Sequence, residues 1–255
     1  MTVFLIEVYN NLMNETFNIQ GIVLKREDFR EVDSRVLVYG LEKGLMELIV
    51  RGTKKIKSKL AGHIEPISLV EIMVIKGKTY DYVGSALAVD SFRGIKEDYG
   101  KIMTAGAVLR RMSEVIKAHE IDEDIFALLY DFLKILNVLN GEIHDTDLLV
   151  NFYILKFMSI LGYRPNLEEC LVCGTKELAS KMYFNAKKGG LECGECFISE
   201  IEERKNSFLI SLETIDLLKA ILQNNFNIVF KFEISEQKQK EINNVVSSFE
   251  EFHLK

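Results

Sequence analysis

Hydrophobic and polar positions change rhythm once along this chain. From Ile19 to about Phe92 the apolar residues come in short runs rich in Val, Ile, Leu and Tyr, bounded by glycine and charge. Ile19–Lys25, Arg35–Gly40, Leu45–Arg51, Ile67–Lys76 and Thr79–Val89 read as β-strands. Glu42-Lys43-Gly44 fits a hairpin turn in which glycine takes positive φ, and Gly77-Lys78 reads as a tight link between the last two strands. Five short strands within about 70 residues suit a small closed barrel better than an open sheet. In barrels of the oligonucleotide-binding (OB) kind, one face and its flanking loops commonly form the binding surface.

From Asp98 the period becomes helical. Ile102, Ala105, Leu109, Met112, Val115 and Ile116 recur at three- and four-residue steps. A second helix is expected from about Asp122 to Asn140, with acids in its first turn, where the macrodipole favours them. A third, from about Thr146 to Leu161, is apolar over most of its surface and therefore central. Gly162 marks its stop, with Pro165 shortly beyond. Leu212–Gln223 and Ser235–Phe252 read as two closing helices. The expected fold class is α+β and multidomain. It comprises an N-terminal extension over 1–18, a five-stranded OB-fold barrel over 19–95 and an α-helical domain over 96–255. Recognisable patterning begins only near Ile19, which makes Met13 a candidate start.

The third helix is followed by all four cysteines, Cys170, Cys173, Cys193 and Cys196, as two Cys-x-x-Cys pairs with 19 residues between them. Each such turn points two thiolates at one place, and two turns complete a tetrahedral shell around Zn²⁺ at roughly 2.3 Å. The spacing falls within the four-cysteine zinc pattern. Two disulfides or a redox dithiol are the alternatives. The module, at about 165–200, is inserted between helices. Four thiolates leave no open position for water, which favours one structural ion over a catalytic centre.

The composition, 48% hydrophobic over 255 residues, is ample for burying a core. No apolar run approaches the roughly 18 residues of a membrane span. The opening MTVFLIEVYNNLM has neither a basic n-region nor a small-residue cleavage site. The chain therefore reads as cytoplasmic, where paired thiols favour metal over disulfide. A net charge of −6 argues against a general nucleic-acid binder, but the distribution says more. Residues 20–60 carry ten Lys/Arg against six Asp/Glu, a balance of +4, and the remainder carries 22 against 32, a balance of −10. Phosphate binding depends on the local face, not on the sum.

That basic excess centres on RGTKKIKSKLAGHIEP, between the third and fourth strands. Arg51, Lys54, Lys55, Lys57 and Lys59 place five cations in nine residues with no acid among them, and Gly52 and Gly62 suggest an exposed, mobile loop. It is either a solvated surface loop or a clamp on a phosphate backbone. Unbalanced cations repel one another unless an anion is their usual neighbour, and such contacts are salt-dependent and blind to sequence. Lys25, Arg26 and Arg35 extend the patch, although Glu27, Asp28, Glu31 and Asp33 interrupt it. Tyr39, Tyr80 and Tyr82 lie in the barrel, either packed or available to stack on bases. Arg110, Arg111 and Lys117 are placed on the exposed face of the first helix, where solvated charge is the ordinary reading.

No catalytic residue emerges. His63-Ile64-Glu65 matches the His-x-Glu of zinc deaminases, but neither cysteine pair follows a proline and the separation exceeds 100 residues. The chain has no Gly-x-x-x-x-Gly-Lys-Ser/Thr loop, no Gly-x-Ser-x-Gly elbow and no His-Glu-x-x-His helix. The histidines, His63, His119, His144 and His253, are scattered among different elements.

Gly21-Ile22-Val23-Leu24-Lys25 followed by Asp33-Ser34-Arg35-Val36-Leu37-Val38 resembles the start of the bacterial RecO recombination mediators. The Gly44 turn, the Arg51-Gly52 step with its basic loop, the Ile67–Ile72 strand and the order of barrel, helices, four-cysteine module and closing helices resemble that family too. The resemblance covers about residues 19–255 and departs from the family pattern over the first 18. It implies a protein without turnover and without a small-molecule substrate, which binds single- and double-stranded DNA and anneals complementary strands. It also implies action with RecR to load RecA onto DNA coated by single-stranded DNA-binding protein, whose acidic C-terminal tail the family contacts through its helical part. On this resemblance Arg51, Lys54, Lys55, Lys57 and Lys59, with Lys25, Arg26 and Arg35, would contact phosphates. Arg110, Arg111 and Lys117 would meet the tail, and Zn²⁺ on the four cysteines would hold the insertion's shape. The competing classes are a zinc-dependent enzyme on nucleic acid and a scaffold whose basic loop docks an acidic protein.

Overall fold

The computed structural model describes residues 15–139, 143–178, 181–199, 202, 204–223, 226 and 234–254, with the backbone alone at 143–145. The chain divides into two compact units at the Val138–Leu139 step.

The first unit opens with strands β1 (Thr16–Phe29), β2 (Asp33–Gly40), β3 (Gly44–Val50), β4 (Ser68–Ile75) and β5 (Asp81–Asp90), closed into a barrel in the order β1-β2-β3-β5-β4. β1 is twice the expected length because it serves two neighbours. Thr16–Val23 pairs with β4, Gly21–Phe29 pairs with β2, and a bulge between Val23 and Lys25 turns the strand from one partner to the other. Its charged second half, Lys25 to Asp28, is one arm of a half-exposed hairpin and carries no alternation to read. Thr16 to Asn18, expected to belong to an extension over 1–18, are strand; Met13 lies outside the described residues. The inside of the barrel is apolar throughout, with Ile19, Val23, Val36, Val38, Met46, Leu48, Val50, Val70, Ile72, Val74 and Val83 in one cluster. Ile64, at the end of the basic loop, enters the same cluster and is fully buried.

Gly44 begins β3 at φ +64°, and a Cβ there would lie 2.2 Å from the Glu120 carbonyl oxygen. Both the left-handed turn and the close approach demand glycine. Three helices follow: α1 (Arg93–Lys96), α2 (Tyr99–Val115) and α3 (Glu123–Val138). Asp98 caps α2 by accepting from Lys101 N at 3.0 Å. Asp122 does the same for α3, accepting from Asp124 N at 2.9 Å and Ile125 N at 3.0 Å. Inside α2 the inward positions are Ala105, Val108, Leu109 and Met112, while Ile102 faces out, a departure from the expected stripe.

These helices pack with the barrel and belong to its compact unit, which runs to Val138. Tyr39, on the outer side of β2, explains why. Its ring stacks on Phe126 at 6.4 Å, its hydroxyl donates to Asp122 O at 3.2 Å, and no part of it reaches solvent. One face of the barrel is thus a helix-packing face.

The second unit holds α4 (Ile143–Ile160), α5 (Gly194–Ser199), α6 (Leu212–Gln223), α7 (Glu236–His253) and a four-stranded sheet. The strands are β6 (Asn166–Cys170), β7 (Met182–Asn185), β8 (Gly190–Cys193) and β9 (Ser207–Ile210), in the order β6-β8-β7-β9. At four or five residues each they are too short to show a period, and sequence reasoning missed them. α4 ends as expected at Gly162: Tyr163 N donates to Met158 O at 2.8 Å and Gly162 N to Ser159 O at 3.2 Å, a Schellman closure. Phe152, Leu155 and Met158 of α4, Ile215 and Leu218 of α6, and Ile242, Val245 and Phe249 of α7 are buried. Phe249 also meets Phe184 of β7 edge-to-face at 6.1 Å, joining helix to sheet.

Glu241 on α7 supplies the cap for α6. Its Oε2 accepts from Ser211 N at 3.0 Å, Ser211 Oγ at 2.6 Å and Thr214 Oγ1 at 2.6 Å. Burial pushes this carboxyl up, but the hydrogen bonds from Ser211 and Thr214 outweigh it and hold it below the usual carboxylate range. The ionised form is therefore the stabilising one. Its contribution is complete above the unfolded-chain value of about 4.3 and is lost as pH falls through the lower folded value. Glu241→Gln is expected to cost about 1–2 kcal/mol at pH 7, read by thermal unfolding, with the deficit shrinking toward pH 3.

Candidate nucleic-acid interface and metal centre

The basic loop leaves β3 at Arg51 and returns into β4 through a 3₁₀ turn at Ala61–His63. Its base is tied to the β1–β2 turn, contrary to the expectation of a mobile loop. Gly52 N donates to Asp33 Oδ1 at 2.8 Å, Lys54 N to Val32 O at 3.1 Å, and the Ser34 and Thr53 hydroxyls share a buried hydrogen bond of 2.7 Å. Ile56, at the tip, is fully exposed.

This anchoring sorts the predicted cations into two groups. Lys54 pairs with Asp28 at 2.9 Å, Lys25 with Glu27 at 2.5 Å and Arg35 with Glu47 at 3.4 Å. Arg26 is mostly buried, pairs with Glu65 and donates to Ala61 O at 3.2 Å, so it holds the loop in place. Of the acids that interrupt the patch in sequence, Glu27 and Asp28 pair with its cations and Asp33 holds the loop's backbone at Gly52. Lys55, Lys57 and Lys59 are exposed and have no ion pair among the described residues, and Arg51 is exposed with its guanidinium 4.2 Å over the Tyr82 ring. These four form the uncompensated positive surface.

The aromatic candidates separate just as clearly. Tyr39 is ruled out as a stacking surface by its burial, which together with the Asp122 and Glu120 carboxylates pushes its hydroxyl up to about 12. Tyr80 and Tyr82 are half-exposed, and Tyr80 meets Phe29 edge-on at 5.6 Å. Phe29, at the end of β1, escaped sequence reasoning because only barrel closure brings it to Tyr80, and with it went Arg30, whose guanidinium lies 5.0 Å from the Phe29 centroid. On the helices, Arg110 is exposed and Arg111 half-buried, while Lys117 lies past the end of α2.

In the second unit the first cysteine pair stands on the turn after β6 and the second where β8 runs into α5. All four sulfurs lie within 4.8 Å of one another, and Cys173 Sγ is 3.8 Å from Cys193 Sγ. A tetrahedron with roughly 2.3 Å metal–sulfur bonds needs sulfurs about 3.8 Å apart, whereas a disulfide needs about 2.05 Å. No cysteine is disulfide-bonded. The cluster is therefore positioned for a metal ion.

The thiols cannot all ionise unaided. Burial alone would raise Cys170, but backbone N–H groups of Cys173, Cys193 and Val172 outweigh it and bring that thiol down to about 7. Cys196 is pushed up by burial and by hydrogen bonding among Cys193, Cys173 and Cys170. A cation at the centre removes this conflict by making every ligand a thiolate. Behind Cys193, buried Glu192 is satisfied by Asn185 Nδ2 and Ser207 Oγ, each at 2.9 Å, and by Lys188 Nζ at 3.1 Å. This network pins β8 to its neighbours.

Comparison with known families settles what kind of chain carries this pairing of barrel and thiolate cluster. A profile described as "Recombination protein O N terminal" matches residues 13–92, and one described as "Recombination protein O C terminal" matches residues 96–255. The chain belongs to the RecO family. Relatives named DNA repair protein RecO include that of Desulforamulus reducens, 25% identical over 93% of this chain and 90% of the relative. Those of Thermoanaerobacter sp. (23%, covering 92% and 91%) and Acetivibrio thermocellus (27%, covering 88% and 86%) are similar over comparable spans. RecO is a DNA repair family, and among the described residues no helix is long and apolar enough to cross a membrane.

For the RecO centre, X-ray absorption of metal-loaded protein is expected to show a shell of four sulfurs. Three sulfurs and one light atom would instead indicate an open, reactive site. Cys193→Ser with Cys196→Ser is expected to abolish stoichiometric metal and to destabilise the sheet that carries them.

Proposed function

We propose that this RecO-family chain is a DNA-repair and recombination mediator, a binding protein without turnover. It binds single- and double-stranded DNA through the loop at 51–59, anneals complementary strands and, with RecR, helps load RecA onto strands coated by single-stranded DNA-binding protein. The observation that carries the reading is the set of Lys55, Lys57 and Lys59 on an anchored loop of a closed barrel, exposed and without acidic partners among the described residues. Such a surface neutralises phosphates through counterion release. Lys54, Lys25, Arg26 and Arg35, already engaged with acids, are secondary contacts.

The ion is Zn²⁺, chosen by four soft thiolates in a closed tetrahedral set, and its role is structural. Partners follow from the family resemblance: RecR, and the acidic C-terminal tail of single-stranded DNA-binding protein. Arg110, Arg111 and Lys117 are the candidate contacts for that tail, supported by Tyr99 and Met103, which are exposed apolar residues on the same helix as the two arginines. The protein acts in the cytoplasm, at the nucleoid when on DNA.

Duplex affinity is expected to fall steeply with salt, with a log–log slope of about −0.9 per phosphate contact, against about −0.7 on single strands. Replacing Lys55, Lys57 and Lys59 together by Ala should flatten the slope by roughly two to three units. An unchanged slope would move the interface elsewhere. Failure to bind DNA at low salt, with retention of an acidic peptide, would instead identify a protein-docking scaffold.

A further inference from the structure

The loop's cations explain contact with phosphate, which duplex and single strand share. The root of the loop carries a second kind of surface. Across β1–β2, β2–β3 and β3–β5 the register sets Glu27 opposite Arg35, Arg35 opposite Ile49 and Ile49 opposite Tyr82, so these residues share the outer face of the barrel. Phe29 lies two residues beyond Glu27 on that face. It meets Tyr80 edge-on at 5.6 Å and carries two guanidiniums, Arg35 at 4.9 Å and Arg30 at 5.0 Å from its centroid. Tyr82 carries Arg51 at 4.2 Å. Three rings and three arginines thus lie side by side over Ile49, which is buried although it points away from the barrel interior.

Packing alone does not account for this arrangement. A structural aromatic cluster would bury its rings, as Tyr39 and Phe126 do, whereas Phe29, Tyr80 and Tyr82 all keep part of their surface exposed. Gly77 lets the chain pass close to both residues: a Cβ there would come within 2.2 Å of the Tyr80 backbone oxygen and 2.9 Å of Tyr82 Cε2. Arg51 belongs both to this platform and to the loop, so phosphates on Lys55, Lys57 and Lys59 would leave the attached bases near the rings.

We infer that this face is a stacking platform for the unpaired bases of single-stranded nucleic acid, with Tyr82 and Phe29 as the rings on which bases, or base-stacked guanidiniums, settle. Only a strand with exposed base faces uses it, because a duplex hides them. Stacking on rings and on arginine planes is tolerant of sequence, as an annealing protein requires. The inference rests on the DNA-binding reading above and adds to it the means by which single strands are distinguished from duplex.

The test uses the full chain, a single strand containing 2-aminopurine, the corresponding duplex, and an abasic strand of equal length. The chain has no Trp, so the probe's fluorescence is read without interference. Wild-type protein is expected to quench 2-aminopurine and to bind the abasic strand roughly five- to thirty-fold more weakly than the normal one, with the same salt slope. Tyr82→Leu and Phe29→Leu are each expected to weaken single-strand binding by a comparable factor and to reduce quenching. Both should leave duplex affinity and salt slope unchanged, and Tyr82→Phe should behave as wild type. Equal affinity for normal and abasic strands overturns the platform whatever the variants do. So does a parallel loss on duplex in Tyr82→Leu, or undiminished quenching in Tyr82→Leu and Phe29→Leu. Each of these outcomes leaves the phosphate reading standing. Wild-type protein that binds neither strand nor duplex at low salt refutes both.

Discussion

The barrel is closed by a short parallel seam between β3 and β5, in which Leu48 pairs with Asp81 and Ile49 with Tyr82. Everything proposed for the first unit depends on that seam. Because β3 ends at Val50, closure sets Arg51 beside Tyr82 and places the root of the basic loop against the aromatic face. It also brings Phe29, from the far end of β1, to Tyr80, which immediately precedes β5. The seam has little backbone pairing of its own. It is held by the apolar cluster inside the barrel, to which Leu48 contributes from β3 and Val83 from β5. Burial in the core thus fixes the geometry of the surface on which the proposed function rests.

The second unit solves a different problem. Strands of four or five residues give the sheet little backbone pairing to hold it together. The four cysteines are placed so that one ion would fasten the turn after β6 to the junction of β8 and α5, while Glu192 ties β8 to its flanks through Asn185, Ser207 and Lys188. All four coordination positions of a tetrahedral ion are taken by protein. A closed centre of this kind would contribute folding energy and leave no coordination position for a substrate. The cysteines are the most conspicuous chemical feature of the chain, and the role proposed for them is architectural.

What could be read from the sequence follows from how local the governing physics is. The four-cysteine centre was legible because Cys-x-x-Cys geometry is set within one turn. Most barrel strands were legible because each has an apolar inner row, and the long helices because their apolar residues recur at three- and four-residue steps. The second half of β1 was hidden by its charged, half-exposed residues, and the short strands around the cysteines by their length. The state of each cation was hidden as well. Lys54, Arg26 and Arg35 looked like members of one free patch, and only the folded register shows them paired with Asp28, Glu65 and Glu47. The packing of α2 and α3 with the barrel, through Tyr39 and Gly44, was invisible for the same reason.

The role proposed for the uncompensated loop cations is to let this chain bring complementary strands together. It is tested most directly by the annealing rate of complementary oligonucleotides precoated with single-stranded DNA-binding protein, measured with wild-type chain and with the variant lacking Lys55, Lys57 and Lys59, in the presence and absence of RecR. The account predicts annealing by the wild type well above the uncatalysed rate, and a large loss in the variant at equal folded concentration. Wild-type protein that leaves the rate unchanged, or a variant that anneals as fast as the wild type, would contradict it.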